Sequence, residues 1–133
     1  MKRSRVVSMA SALLCVMLSL AAAAGDPAPK GWLVLRDGAA NTDANYNKED
    51  KDINGKLQGV SVLCAATGDN AQDVQALIAT DQTRAWGANP GRSRVSTIVN
   101  LGGQVVTDPM PNNPRHCLIN GLTLPQIKGV WHF

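Results

Sequence analysis

Residues 59–87 read GVSVLCAATGDNAQDVQALIATDQTRAWG and combine two kinds of pattern. The run 60–64 is rich in β-branched residues and follows a glycine, which predicts a strand. A helix is predicted over about 70–86, capped by Asp69 or Asn70 and ended by the last glycine of the stretch. Its apolar residues recur along one helix face: Val74, Leu77, Ile78 and Ala85. A strand followed by one main amphipathic helix indicates a small α+β domain.

Further apolar runs on either side predict more strands of an antiparallel sheet. One run covers 32–35, before the quoted stretch, and another covers 117–119, after it. Residues 94–101 fit either a short helix face or a strand, and their β-branched residues favour the strand. Near the C-terminus Thr123 can cap a last short helix, because Gln126 follows three residues later.

The first 24 residues predict a cleaved secretory signal. Lys2, Arg3 and Arg5 precede an uncharged apolar stretch that ends in Ala22-Ala23-Ala24. We therefore expect one small exported domain over 25–133, periplasmic or secreted, with no membrane attachment after cleavage. Without the three basic residues of the signal, ten Lys and Arg balance ten Asp and Glu. This neutral balance argues against nucleic acid as a partner.

Two cysteines remain after signal cleavage, Cys64 and Cys117. An exported chain folds in an oxidising compartment, so this pair predicts one disulfide. The bridge would consume both thiols. In addition, His116 and Cys117 are adjacent on a predicted strand and therefore point to opposite faces, which disfavours a cysteine nucleophile activated by this histidine.

Two polar stretches are expected to be surface loops that carry binding contacts. The first, 36–56, is dominated by Asp, Asn, Lys and Gly, and the second, 108–116, is rich in proline. Asp108 precedes Pro109 and is interpreted as a turn residue.

Within the first loop, residues 50–57 read DKDINGKL and resemble the calcium loop of EF-hand and dockerin-like modules. The resemblance implies oxygen ligands for calcium from four residues: Asp50, Asp52, Asn54 and Lys56. A calcium loop would span 50–61, but Ser61 then occupies the position of the bidentate acidic ligand. The alternative, favoured by that missing ligand, is an Asn-Gly turn with solvated charges and no cofactor.

His116 and Arg115 form the second candidate site. Imidazole can act as a general acid or base near neutral pH, and a neighbouring cation can stabilise the charge of a phosphodiester. Arg92 and Arg94 are further candidate cations. The stretch of residues 95–123, with its Pro-x-x-Pro-x-His pattern, resembles compact secreted bacterial toxin-like domains, without indicating a named family or a role for any residue. The alternative is a loop histidine without a catalytic role.

Three functions are compatible with these patterns. The favoured one is a small exported domain that binds a protein partner, as inhibitors and immunity proteins do, because no convergent catalytic set is visible in the sequence. The second is a secreted nuclease- or hydrolase-like toxin that uses His116 with nearby arginines. The third is a calcium-dependent structural or adhesive module that uses 50–61. The sequence leaves open whether the protein is an enzyme.

Overall fold

Five antiparallel strands form the main sheet in the computed structural model, which describes residues 25–133. The predicted signal of residues 1–24 lies outside the described residues. The strands of this sheet are β1 (Leu33–Arg36), β4 (Val60–Ala65), β5 (Gly91–Arg94), β6 (Gln104–Thr107) and β7 (His116–Asn120), and their spatial order is β5-β1-β4-β7-β6. A separate hairpin consists of β2 (Asp50–Lys51) and β3 (Leu57–Gln58).

Short helices accompany the sheet and confirm the α+β class. They are α1 (Asp43–Tyr46), α2 (Ala71–Ala79), α3 (Val95–Asn100) and α4 (Leu124–Gly129), with a single 3-10 turn at Gly38–Ala40. Within residues 25–133, none of the helices has the length and apolar composition needed to cross a bilayer.

The sheet has an apolar core on each face, because alternate strand residues point to opposite sides. On one face Leu35 and Leu63 pack with Leu77 of α2. On the other face Val34 packs in a larger cluster with residues of α3 and α4, including Ile98. The face that carries α2 is called the α2 face below.

The disulfide prediction is confirmed: Cys64 and Cys117 form a bridge between β4 and β7. Val62 lies directly opposite Cys117, so Cys64 is the diagonal neighbour of Cys117, with a Cα–Cα distance of 5.9 Å. Both thiols are consumed, which excludes them as nucleophiles in the oxidised protein.

The main helix is shorter than predicted. It begins after Asn70, whose side chain accepts a hydrogen bond from the Asp73 amide, and it ends at Ala79 rather than near residue 86. The prediction was wrong for 80–86, because polar side chains there bind local groups instead of continuing the helix. The Thr80 hydroxyl donates to the Leu77 carbonyl, and the Asp81 carboxylate accepts from the amide of Thr83.

The favoured strand over 94–101 was also wrong. Strand β5 ends at Arg94, and α3 follows immediately with Val95 and Ile98 buried one helical turn apart. Burial of this pair outweighs the strand preference of β-branched residues, which is weak and depends on context. The last helix is confirmed as α4, with the reciprocal capping bonds between Thr123 and Gln126.

The stretch 36–56 is less loop-like than predicted, because it contains the 3-10 turn, α1 and β2. Tyr46 anchors it in the core: its hydroxyl donates to Asn41 and accepts a hydrogen bond from the Trp131 indole. An ion pair of 2.6 Å between Asp43 and Lys128 attaches α1 to α4.

Candidate functional site

A cleft of about 240 Å³ lies on the α2 face of the sheet, beside the segment that follows α2. Its floor is formed by the ends of β1, β4 and β7, and its walls by residues 81–86 and 110–113. Its polar lining includes buried side chains, notably Asp37, Asp81 and His116. Buried titratable groups in a cleft mark a candidate functional site.

His116 is held by Asp108, which the sequence indicated only as a turn residue. Its Nδ1 lies 3.0 Å from Oδ2 of Asp108 and 3.1 Å from the carbonyl oxygen of the same residue. Both oxygens are acceptors, so Nδ1 carries a proton and donates it. Nε2 then has a free lone pair, and within residues 25–133 it forms no hydrogen bond. The ring is thus prepared to accept a proton at Nε2.

The β6–β7 pairing explains how these two residues meet. Thr107, the last residue of β6, lies opposite Cys117, so Asp108, which follows it, lies beside His116. The Asp108 amide donates to the His116 carbonyl at 2.9 Å. The sequence pattern that could have indicated this pairing is an apolar run on each side of a loop rich in turn residues. Sequence alone did not set their register, because the hairpin connection is long and contains three prolines.

Arg84 contributes a cation to the cleft. Its Nη2 lies 2.7 Å from Oδ2 of Asp37, and its guanidinium carbon lies 5.8 Å from the ring centroid of Trp86. The Arg84 side chain is 49% exposed, whereas Asp37 is almost wholly buried. Asp37 also accepts from the Gly87 amide, so this carboxylate fixes the wall of the cleft as well as the arginine.

Asp81 contributes an anion to the same cleft. Burial alone would raise its pKa, but hydrogen bonds from Thr83 and from the Trp86 indole outweigh burial and hold the pKa of Asp81 below its usual value. The carboxylate is therefore ionised at neutral pH and is unsuited to act as a general acid there.

Arg36 lies at the cleft wall in a structural position. Pairing between β1 and β4 extends only to Leu35 and Leu63, and Arg36 donates to the Ser61 carbonyl at 2.8 Å just beyond that point. Its guanidinium stacks 4.6 Å from the Tyr46 ring centroid. Burial lowers the pKa of Arg36, but an arginine remains cationic at neutral pH. No carboxylate of residues 25–133 forms an ion pair with it.

The other predicted cations lie elsewhere. Arg115 is exposed and lines a separate cavity with Pro109, Pro114 and the disulfide, a cavity that His116 also borders. Arg92 and Arg94 lie near the start of α2, where they bind the Asp69 carbonyl and carboxylate respectively. Arg84, which the sequence placed in a helix, instead lines the cleft together with His116 and Arg36.

The residues of the calcium prediction form the turn between β2 and β3. Oδ1 of Asp52 accepts from the amides of Asn54 and Lys56, each at 2.9 Å, and the Lys56 carbonyl accepts from the Asp52 amide. Asp50 is exposed on β2. Within residues 25–133 no group of three or more His, Cys, Asp or Glu side chains is placed to hold a metal. Calcium binding stays a prediction.

The cleft has to be interpreted from its own geometry, since no protein-family model, curated protein or solved structure matches this chain.

Proposed function

We propose that the protein is an exported hydrolase in which His116 and Asp108 form a catalytic pair. The observation that carries the proposal is the 3.0 Å contact between Nδ1 of His116 and Asp108, which leaves Nε2 without a hydrogen bond among the described residues, in a side chain that lines the cleft. The predicted signal of residues 1–24 and the Cys64–Cys117 disulfide support export. Unlike the sequence pattern alone, the geometry favours an enzyme over a binding domain.

The pair supplies general acid–base catalysis. Nε2 of His116 takes a proton from the nucleophile that attacks an ester bond, and the imidazolium returns it to the leaving alcohol. Asp108 holds the ring in the required tautomer and stabilises the imidazolium between these two transfers. The backbone carbonyl of Asp108 accepts from the same Nδ1 proton and further restricts rotation of the ring.

The charges of the cleft favour a small substrate that carries one negative charge or develops one in the transition state. Arg84 is half-exposed and can pair with that charge, but Asp37 and Asp81 lie beside it and offset the positive charge. The cleft is lined by two cations, Arg36 and Arg84, and by these two carboxylates, so a long polyanion would meet no excess of positive charge, in agreement with the neutral balance of residues 25–133. A small phosphodiester carries this charge itself, whereas a small carboxylic ester develops it on the carbonyl oxygen during nucleophilic attack.

Hydrolysis of p-nitrophenyl acetate and bis(p-nitrophenyl) phosphate by the oxidised protein tests the proposal. We expect His116→Ala to lower kcat/KM by about 10²–10⁴-fold on the substrate that is cleaved, the usual contribution of a general base. Asp108→Asn should lower it as well, because the amide no longer enforces the tautomer.

The matched control is His132→Ala, which removes the other histidine of the chain. His132 lies outside the cleft, and its contacts with Arg92 are made by the backbone. A folded His116→Ala protein that is as active as the wild type would refute the catalytic pair.

A second candidate function, binding to a protein partner of inhibitor or immunity type, is favoured by the β2–β3 hairpin. Ile53 at its tip is 100% exposed, although it is a large apolar residue. The hairpin is fixed at its base, since Leu57 is buried and pairs with Leu122. An apolar side chain held on a fixed hairpin can enter a pocket of a partner with little loss of conformational entropy.

Capture from an envelope and secreted extract, with the tagged oxidised protein as bait, tests this alternative. We expect one stoichiometric protein to be retained by the wild type and lost with Ile53→Asp, because a charge at the tip cannot be buried in an apolar pocket. Leu101→Asp is the control, since Leu101 is an exposed apolar residue at the end of α3, outside the hairpin. Equal retention by wild type and Ile53→Asp would exclude the hairpin as the contact.

A further inference from the structure

Three neighbouring strands bring Asp108, His116 and Ser61 to one face of the sheet. His116 on β7 lies directly opposite Leu63 on β4, and Leu63 belongs to the apolar cluster of the α2 face. Ser61 is two residues from Leu63 on the same strand and therefore points to the same side. Asp108 contacts His116 from the β6 side, so the histidine lies between the carboxylate and the serine.

Ser61 differs from the other residues on its side of β4. Leu63 and Ala65 are buried beneath α2, whereas Ser61 is exposed and lines the cleft together with His116. Its backbone is held by Arg36, which donates to the Ser61 carbonyl. Within residues 25–133 the Ser61 hydroxyl forms no hydrogen bond. A serine is thus presented with a fixed backbone and an available hydroxyl.

Ser61 and His116 are diagonal neighbours on paired strands and line the same cleft. Diagonal neighbours on antiparallel strands lie roughly 7–8 Å apart, so the two side chains have to rotate towards each other when substrate binds to bring Oγ of Ser61 within hydrogen-bond distance of Nε2. Nδ1 of His116 is directed to Asp108 on the β6 side, and Ser61 lies on the opposite side, towards β4. An aspartate, a histidine and a serine in this order are the elements of a nucleophilic hydrolase site.

We propose that Ser61 is the catalytic nucleophile and that the substrate is an ester of a short-chain carboxylic acid. This inference rests on the proposed hydrolase function. The Ser61 oxygen attacks the ester carbonyl carbon while Nε2 of His116 takes the hydroxyl proton. The bond to the leaving alcohol then breaks, and the alcohol receives that proton from the imidazolium. Water, deprotonated by the same nitrogen, then attacks the acyl carbon. The bond to Ser61 breaks, the imidazolium returns the proton to the Ser61 oxygen, and the carboxylic acid is released.

The cleft limits the acyl group to a short chain. Its volume of about 240 Å³ is below the range of pockets that bind drug-sized ligands. Trp86 and Met110 supply apolar surface for the alkyl part, and Arg84 supplies positive charge that can stabilise the oxyanion.

The full oxidised protein should react with a fluorophosphonate probe, which modifies activated serines. We expect mass spectrometry to locate the adduct on Ser61, and His116→Ala to lower the labelling rate at least 100-fold. Ser61→Ala should lower kcat/KM on p-nitrophenyl acetate at least 100-fold. Ser96→Ala is the control, since Ser96 lies on α3, away from the cleft.

Failure of this inference differs from failure of the hydrolase proposal. The role of Ser61 is overturned if no adduct forms on it, or if Ser61→Ala keeps more than a tenth of the wild-type kcat/KM. In either case the loss of hydrolysis in His116→Ala would still support the hydrolase proposal. If the hydrolase proposal itself fails, His116→Ala and wild type are indistinguishable on both p-nitrophenyl substrates.

Discussion

Asp81 keeps a charge in a nearly buried position because the segment after it supplies donors. The Thr83 amide and hydroxyl and the Trp86 indole all donate to its carboxylate. These donors replace the water lost on burial, and hydrogen bonds to an ionised group are stronger than those between neutral groups. The same contacts hold residues 81–86 as the wall of the cleft, so this one side chain links stability to the shape of the site.

Replacement of Asp81 by asparagine should make stability less dependent on pH. The pKa of Asp81 is lower in the folded protein than in the unfolded chain, where it is about 3.9. The ionised carboxylate therefore stabilises the fold fully above that pH, and this contribution is lost as the pH falls towards the lower pKa of the folded state. At pH 7 we expect Asp81→Asn to cost about 1 kcal/mol, because charged hydrogen bonds become neutral ones. Urea unfolding of both proteins at pH 7 and at pH 3 measures this loss of unfolding free energy, which should be smaller at pH 3.

The control for this pH dependence is Asp50→Asn, since Asp50 is exposed and its carboxylate accepts no hydrogen bond within residues 25–133. A destabilisation by Asp81→Asn that is the same at both pH values would contradict the role given to its charge.

The proposed catalytic pair shows why a partner residue is hard to predict from sequence even where the histidine itself is recognised. His116 was singled out from its chemistry alone, and the structure places it in a cleft. Asp108 was interpreted as a turn residue because a proline follows it. Its contact with His116 depends on the register of β6 and β7, and a shift of one residue would direct the side chain to the other face.

For helices and strands, the predicted boundaries agree with the structure where the sequence contains a strong local signal such as a capping residue. The cap at Asn70 and the reciprocal bonds of Thr123 and Gln126 set where α2 and α4 begin, as predicted. The end of α2 was misplaced because side-chain hydrogen bonds in 80–86 compete with the helix. Helix α3 was missed because burial decides between helix and strand for a short apolar run, and burial is not visible in one sequence.

The misplaced end of α2 affects the interpretation of the candidate site. A helix that continued to residue 86 would have placed Arg84 in its last turn, and nothing in the sequence indicated that Arg84 would line a cleft with His116. With the helix ended at Ala79, the chain turns across the sheet, and Asp37 binds Arg84 over 47 residues of sequence. The three strands that form the floor of the cleft were thus predicted from the sequence, whereas the segment 81–86 that forms its wall was predicted as helix.

In the molecule as a whole, the disulfide joins the central strand β4 to its neighbour β7, on the face opposite the proposed catalytic residues. Cys117 follows His116 on β7, and Cys64 follows Leu63, the residue opposite His116. The bridge lies on the other face of the sheet, so it fixes the register of these strands without occupying the cleft. Its two cysteines are 53 residues apart in sequence, a separation that makes the constraint on the unfolded chain large.

Reduction of this bridge should lower the free energy of unfolding by up to about 4 kcal/mol, the chain-entropy value for a loop of this length. Small domains have only about 5–15 kcal/mol in total, so the reduced protein should unfold at a much lower denaturant concentration. Urea titration with and without a phosphine reductant measures the effect. The double variant Cys64→Ala with Cys117→Ala should also unfold at lower urea and should not respond to the reductant. A wild-type unfolding midpoint that is unchanged by complete reduction would show that β4 and β7 are held by packing and hydrogen bonds alone.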